Sequence, residues 1–128
     1  MSIELNHTIV PAMDKKASAR FLADILGLEV GPQFGPFLPV EIPGGVTLDF
    51  YESDGGPITP HHYAFLVSED EFDAIFGRVK ERGLPYAADP HGHHPGEINT
   101  KDGGRGVYWD DPNGHRLEII TKPYGSGS

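Results

Sequence analysis

Two histidines and two carboxylates occupy matched positions in the two halves of this sequence. His7 and His62 each lie in a short, mainly apolar segment, and each precedes a Gly-Leu pair, Gly27-Leu28 or Gly83-Leu84, at nearly the same distance. An imidazole binds a metal ion or changes its charge near neutral pH. A histidine that recurs at one place in two repeats is therefore a stronger candidate for chemistry than a single histidine in a strand.

The two carboxylates lie in a shared motif. Pro43-x-Gly45-x-x-Leu48-Asp49-Phe50 has the same spacing as Pro112-x-Gly114-x-x-Leu117-Glu118-Ile119. Side chains alternate between the two faces of a strand, so each acid occupies one face and its apolar neighbours the other. If the two halves pair about a pseudo-twofold axis, His7 faces His62, Asp49 faces Glu118, and the four side chains converge on one point.

A divalent cation is the partner that such a cluster needs, because an unpaired carboxylate on a concave sheet face is costly. The chain has no cysteine, so imidazole and carboxylate are its only strong metal ligands. The repeat therefore predicts a metal site where His7, His62, Asp49 and Glu118 converge. Asp49 is either a fourth ligand or a polar residue hydrogen-bonded in the cavity.

The elements that must position these residues follow the same order twice. The first half predicts a strand at 3–10, a helix between the N-cap Asp14 and Gly27, and strands at 28–30, 37–42 and 46–52. The second half predicts a strand at 63–67, a helix that opens on a Ser68/Glu71 capping box and closes at Gly83, a weaker strand at 84–88, and strands at 106–109 and 115–121.

The fold class that follows is α+β, with two βαβββ modules at about 3–53 and 61–122 within one domain of residues 1–124. Residues 125–128, Gly-Ser-Gly-Ser, are expected to form a disordered tail. A chain of 128 residues suits one small core.

Charge and hydropathy exclude some partners. The net charge of −9 without a basic cluster argues against nucleic acid, whose binding requires Lys and Arg to neutralise phosphates. No stretch approaches the roughly 20 apolar residues of a membrane-spanning helix, and the N-terminus lacks the pattern of a secretion signal. The expected location is the cytoplasm.

At these residues the chain resembles the vicinal oxygen chelate superfamily, which includes glyoxalase I, extradiol dioxygenases, fosfomycin-inactivating enzymes and bleomycin-binding proteins. The resemblance covers about residues 3–122, and its most specific part is the run from Trp109 to Glu118. The other matching segments are Asn6-His7-Thr8, Leu48-Asp49-Phe50 and residues 62–67. The resemblance implies a half-open barrel-like sheet around a divalent metal held by His7, His62 and Glu118, and modules that pair within or between chains, with a homodimer expected.

Asp49 departs from the family pattern, since it falls where glyoxalase I has a second glutamate. Two histidines and one carboxylate with open positions are typical of non-haem Fe(II) oxygenases. Two histidines with two carboxylates would instead suit Zn, Ni or Mn and proton transfer of the glyoxalase type. The sequence leaves this choice open, with Fe(II) preferred.

Other polar and aromatic residues carry weaker predictions. His91, His93 and His94 lie in a loop that is either simply solvated or covers the mouth of the site, where His91 would contact substrate or carry a proton. Tyr108 is expected to line the cavity, and could orient an oxygenated ring. Trp109 is read as a core aromatic. His61 and His115 are expected at the surface.

Three functions follow as hypotheses. The first is an Fe(II)-dependent dioxygenase or oxidase that acts on a small oxygenated, aromatic molecule, with Asp49 as a ligand or an acid-base group. The second is a glyoxalase-type lyase or isomerase that uses Ni, Zn or Mn. The third is a metal-free protein that sequesters a drug.

Overall fold

A computed structural model describes residues 3–125 and divides the chain into two compact units, Met1–Thr59 and Pro60–Ser128. In the first unit, β1 (His7–Ala12) is followed by α1 (Lys15–Leu26), β2 (Phe37–Ile42) and β3 (Val46–Glu52). The three strands form a sheet in the order β1-β3-β2, with β1 parallel to β3 and β2 antiparallel to it. The last strand of the unit therefore lies beside the first.

Helix α1 begins and ends where the sequence predicted. The Asp14 carboxylate accepts a hydrogen bond from the Ala17 N–H at 3.1 Å, and Gly27 ends the helix in the left-handed conformation at φ 76°. The helix packs on all three strands, and its buried side chains face them. These buried residues are Ser18, Ala19, Leu22, Ala23 and Ile25.

The second unit repeats this order with one more strand. It contains β4 (His62–Leu66), α2 (Glu69–Glu81), β5 (Tyr86–Ala87), a short 3-10 turn (Lys101–Gly103), β6 (Gly106–Asp110) and β7 (Arg116–Ile120). The strand order is β4-β7-β6-β5, with β4 parallel to β7 and the other pairs antiparallel. Again the last strand lies beside the first.

Helix α2 has the predicted capping box. The Ser68 hydroxyl accepts the Glu71 N–H at 3.1 Å, and the Glu71 carboxylate accepts the Ser68 N–H at 2.8 Å. Phe72, Ile75 and Val79 are buried on one face of the helix. Phe76 of the same helix meets Tyr86 of β5 edge-on, at 5.0 Å between ring centroids.

The predicted α+β class and the repeated modules are confirmed, but three predicted strands differ from the structure by more than one residue. Strand β1 runs from His7 to Ala12 instead of 3–10, because Pro11 is tolerated in a strand at the edge of its sheet. The predicted strand at 28–30 is reduced to one bridge between Val30 and Val40. The Gly31 N–H donates to the Pro39 carbonyl, and Pro39 has no N–H to return the bond that would extend the ladder. The strand predicted at 84–88 shrinks to β5.

Two further predictions concern the C-terminal tail and membrane-spanning helices. Gly125 donates its N–H to the Asp102 carboxylate at 3.1 Å, while residues 126–128 of the predicted tail lie outside the described residues. Within residues 3–125, the structure contains no helix long and apolar enough to cross a membrane.

Two glycine-to-alanine substitutions in the second unit should act in opposite directions. Gly77 lies inside α2 with open space where the alanine methyl group would lie, so Gly77→Ala should raise the free energy of unfolding by about 0.5–1 kcal/mol. At buried Gly104 the added methyl group would lie 2.6 Å from the Thr121 hydroxyl, which accepts the Arg105 N–H. Gly104→Ala should therefore lower stability by about 1 kcal/mol or more. Urea unfolding of both variants measures the two effects, and equal signs would contradict the packing described.

Candidate metal centre

The parallel pairing of first and last strands fixes the relation between histidine and acid in each unit. His62 pairs with Arg116 across β4 and β7, and Glu118 lies two residues further along β7. In the first unit His7 pairs with Thr47, and Asp49 lies two residues further along β3. The matched register confirms the repeat that the sequence motif predicted, and it places each histidine and its acid on the same face of their sheet.

In the second unit His62 and Glu118 are in direct contact. His62 Nε2 lies 3.0 Å from Glu118 Oε1, and His62 Nδ1 lies 3.1 Å from the backbone carbonyl of Arg116. The His62 side chain is 49% exposed, whereas the Glu118 side chain is 1% exposed. Glu118 is therefore a buried carboxylate that faces an imidazole.

The hydrogen bonds of this pair leave a place for a cation. A carbonyl oxygen only accepts, so His62 must donate from Nδ1 to Arg116. In the neutral imidazole, Nε2 then carries a lone pair, and it faces a carboxylate oxygen that is also an acceptor. Two acceptors 3.0 Å apart, one of them buried, are unfavourable unless a proton or a metal ion binds between them. Imidazole and carboxylate are ligands that Fe, Zn and Ni accept, so the donor set fits a divalent metal.

Two tyrosine hydroxyls complete the surroundings of Glu118. The Tyr124 hydroxyl donates to Glu118 Oε2, and the Tyr108 and Tyr124 hydroxyls are 3.0 Å apart. Burial raises the pKa of Tyr108, and burial together with the bond to Glu118 raises the pKa of Tyr124. Both phenols therefore stay neutral at physiological pH and remain donors.

A cavity of about 300 Å³ lies in the second unit and is bordered by Tyr108 and Arg116, the residues next to the His62–Glu118 pair. Arg116 Nε donates to Asp110 Oδ1 at 2.5 Å, which holds the guanidinium at the cavity wall. Tyr108 lines the cavity as predicted, and its role toward a substrate stays a prediction. Trp109 is 2% exposed and belongs to the core. The remaining lining residues are Pro85, Tyr86, Ala87, Asp89, Gly92, Pro95, Trp109 and Asp110.

In the first unit His7 and Asp49 line a second cavity, of about 400 Å³. His7 Nδ1 lies 2.8 Å from Asn6 Oδ1, and Asp49 is half-buried. Most of the wall is apolar, and the side chain of Phe34 there is 74% exposed. The other lining residues are Asn6, Ile9, Phe37, Pro39 and Thr47.

The structure thus places the predicted ligands as two pairs, one in each unit. Among residues 3–125, no three His, Asp or Glu side chains are grouped so that they could hold a metal ion. The joining of His7, and of Asp49, to the His62–Glu118 pair stays a prediction. The same holds for the catalytic role of Asp49.

The histidine-rich loop is ordered by one carboxylate. Asp89 accepts backbone N–H bonds from His91, His93 and His94 at 2.8–3.2 Å, and the three imidazoles are exposed. Because Asp89 and Gly92 also line the cavity, the loop borders it. A role for the His91 imidazole toward substrate stays a prediction.

His115 was predicted at the surface, and this is wrong. It is 0% exposed, and its Nδ1 accepts the backbone N–H of His61, which is itself exposed as predicted. The Asp111 carboxylate accepts the His115 N–H at 2.9 Å and tightens the turn, which carries the side chain inward. A turn motif in a sequence does not reveal which of its polar residues turns inward.

Tyr124 and Arg116 were missed as site residues. Tyr124 follows the last strand with no motif spacing to connect it with Glu118, so only the folded chain reveals the contact. Arg116 had a usable signal, because it lies two residues before Glu118 and strand alternation places both on one face.

Comparison with known proteins identifies the family and the fold. The family model described as the Glyoxalase/Bleomycin resistance protein/Dioxygenase superfamily matches residues 4–119. The solved structure named Oxidase ChaP-H2 is 71% identical, covers 100% of both chains and superposes with a TM-score of 0.97. Oxidase ChaP-H1 is 63% identical, covers 97% of this chain and 99% of its own, and has a TM-score of 0.93. The Glutathione transferase FosA of Serratia marcescens is 25% identical over 90% of this chain and 78% of its own length.

Replacement of the buried acid by its amide should stabilise the metal-free protein. In Glu118→Gln the amide N–H can donate to His62 Nε2, while the amide oxygen still accepts the Tyr124 hydroxyl. We expect the free energy of unfolding, measured by urea titration in the presence of a chelator, to rise by about 1 kcal/mol. The exposed Glu97→Gln is the matched control, with no change expected. A loss of more than about 1 kcal/mol would mean that the pair is an imidazolium–carboxylate ion pair.

Proposed function

Since the chain belongs to the Glyoxalase/Bleomycin resistance protein/Dioxygenase superfamily, we propose that it is a metal-dependent oxidase or dioxygenase that acts on a small oxygenated aromatic molecule. The two solved relatives at 71% and 63% identity are both named oxidases, which supports oxidation over the lyase alternative. The observation that carries the proposal is the buried Glu118 carboxylate, which faces a second acceptor, His62 Nε2, at 3.0 Å.

The proposed metal ligands are His62, Glu118 and His7, with Asp49 as a fourth ligand or an acid-base group. Members of the superfamily use divalent metals, and Fe(II) is the proposed metal, with Ni, Zn and Mn as alternatives. Bound Fe(II) supplies the redox chemistry that couples an organic substrate to dioxygen, the oxidant of the reaction.

The side chains around the pair have separate proposed tasks. The Arg116 carbonyl holds His62 in the tautomer that leaves Nε2 free. The ring of Tyr108 and the prolines of the cavity wall contact the apolar faces of the substrate. The Arg116 guanidinium and the Asp110 carboxylate offer a donor and an acceptor for its oxygens. Asp49 accepts a proton from a substrate hydroxyl, and His91 at the loop carries a proton to solvent.

Metal analysis and oxygen uptake test this proposal together. Protein purified anaerobically with Fe(II) should bind about one iron per chain and consume oxygen with catechol-like or quinone-like substrates. His62→Ala and Glu118→Ala should each lose the metal, because each removes one of the ligands. Asp49→Asn should keep most of the metal and lose turnover by about 100-fold or more, the scale of a general base. His94→Ala, in the exposed loop, serves as the control and should keep both.

Three outcomes would contradict the proposal. Bound Ni or Zn without oxygen uptake, together with isomerase or lyase activity on α-ketoaldehyde adducts, favours the glyoxalase-type reaction. Tight binding of a drug by protein stripped of metal favours the sequestering function. If Glu118→Ala keeps all of its bound metal, the proposed metal centre is wrong.

We also propose that the protein acts as a homodimer in which the His7 of one copy joins the His62 and Glu118 of the other. Strands β1 and β4 are each at the edge of their own sheet, and each exposes an apolar side chain, Ile9 at 48% and Leu66 at 61%. Sheet edges with apolar residues are suited to pairing with another chain. This arrangement supplies the third ligand.

Mixing two inactive variants tests the shared centre. Refolding His7→Ala together with Glu118→Ala should restore metal binding, because in a mixed dimer one centre carries both substitutions and the other carries neither. Refolding each variant alone should restore none. If the refolded mixture binds no more metal than either variant alone, while size-exclusion chromatography shows dimers, the centre is not shared between copies.

A further inference from the structure

The end of the described chain returns to the buried carboxylate. Beyond β7, the residues 121–125 bring the Tyr124 hydroxyl onto Glu118 Oε2, the oxygen that does not face His62. The two oxygens of Glu118 thus have different neighbours. Oε1 lies 3.0 Å from His62 Nε2, and Oε2 accepts the hydrogen bond of the Tyr124 hydroxyl.

Contacts outside the site hold this segment in place. The Gly125 N–H donates to the Asp102 carboxylate at 3.1 Å, and the Lys101 ammonium lies 5.9 Å from the centre of the Tyr124 ring. Both partners belong to the 3-10 turn that precedes β6. The position of the phenol is therefore supported by a second loop.

The direction of the hydrogen bonds follows from the chemistry of the groups. An ionised carboxylate only accepts, so the Tyr124 hydroxyl donates its single proton to Glu118. The Tyr124 oxygen can then accept the hydroxyl proton of Tyr108, at 3.0 Å. The Tyr108 ring also stacks on the His62 imidazole, with 5.9 Å between centroids and 24° between planes. The two tyrosines therefore constrain both members of the pair.

We propose that Tyr124 is a positioning residue that occupies Oε2 of Glu118, so that the carboxylate offers only Oε1 to the metal. This inference rests on the metal centre of the proposed function. A carboxylate that binds through one oxygen uses one coordination position, whereas binding through both oxygens uses two. Tyr124 thereby keeps a position open for substrate or oxygen, although it does not itself touch the metal.

Cobalt(II) added to metal-free protein is the probe, because its visible absorption reports coordination number without turnover. In Tyr124→Phe, the affinity for Co(II), measured by chelator competition, should fall about 10- to 100-fold, the range for loss of a group that orients a ligand. The visible absorption should also weaken, because Glu118 is free to bind through both oxygens and Co(II) of higher coordination number absorbs less. Tyr108→Phe should change both readouts in the same direction by less.

Tyr51→Phe is the matched control, since Tyr51 is exposed and belongs to the first unit. It should leave both the affinity and the spectrum unchanged. Thermal unfolding of the metal-free variants checks that each is folded, and Tyr108→Phe carries the test if Tyr124→Phe does not fold.

Two results would overturn the assignment while leaving the metal centre intact. The first is Co(II) affinity within twofold of the parent protein together with an unchanged spectrum in Tyr124→Phe. The second is a visible phenolate-to-iron band in ferric parent protein that disappears in Tyr124→Phe, because Tyr124 would then be a ligand. If the parent protein binds no Co(II), both this inference and the proposed function fail. If Tyr124→Phe changes the Co(II) affinity and spectrum as expected, but the parent protein loaded with Fe(II) consumes no oxygen, only the oxidase assignment fails.

Discussion

The contact between the buried Glu118 carboxylate and the His62 imidazole is the central interaction in the second half of this protein. Glu118 lies on β7, inside a four-stranded sheet and out of water, and His62 reaches it from the parallel strand β4. His62 donates its Nδ1 hydrogen to the Arg116 carbonyl. In the neutral imidazole Nε2 is then an acceptor, and it faces a carboxylate oxygen that is also an acceptor. Such a pair is unfavourable unless a proton or a divalent metal ion binds between the two atoms, and the metal ion is the proposed occupant.

The duplicated module explains how a short chain builds such a contact. In each unit the last strand returns beside the first, and the common register places an acid two residues beyond the partner of the histidine. The two copies have nevertheless diverged. Glu118 is 1% exposed and touches its histidine, whereas the shorter Asp49 is half-buried on the wall of an apolar cavity. The histidine and the acid are therefore in contact in the second unit, whereas in the first unit both line a cavity.

Much of the fold could be predicted because its signals are local. The caps at Asp14 and Ser68 and the repeated motif around Asp49 and Glu118 depend on neighbours in sequence, and the structure confirms them. The failures depend on distant partners. The strand predicted at 28–30 is lost because Pro39 on β2 lacks the N–H that would pair with it, and His115 is buried by the fold of its turn. The contact of Tyr124 with Glu118 has no sequence signal, since it arises when the chain folds back after its last strand.

The most direct test of the metal centre is an anomalous difference map from crystals of protein loaded anaerobically with Fe(II). We expect one peak in contact with both His62 Nε2 and Glu118 Oε1, at about 2.0–2.2 Å from each, the usual range for imidazole and carboxylate ligands. The two side chains would then bind the ion instead of each other. A map with no peak at this pair, or with iron only at the His91 loop, would contradict the account.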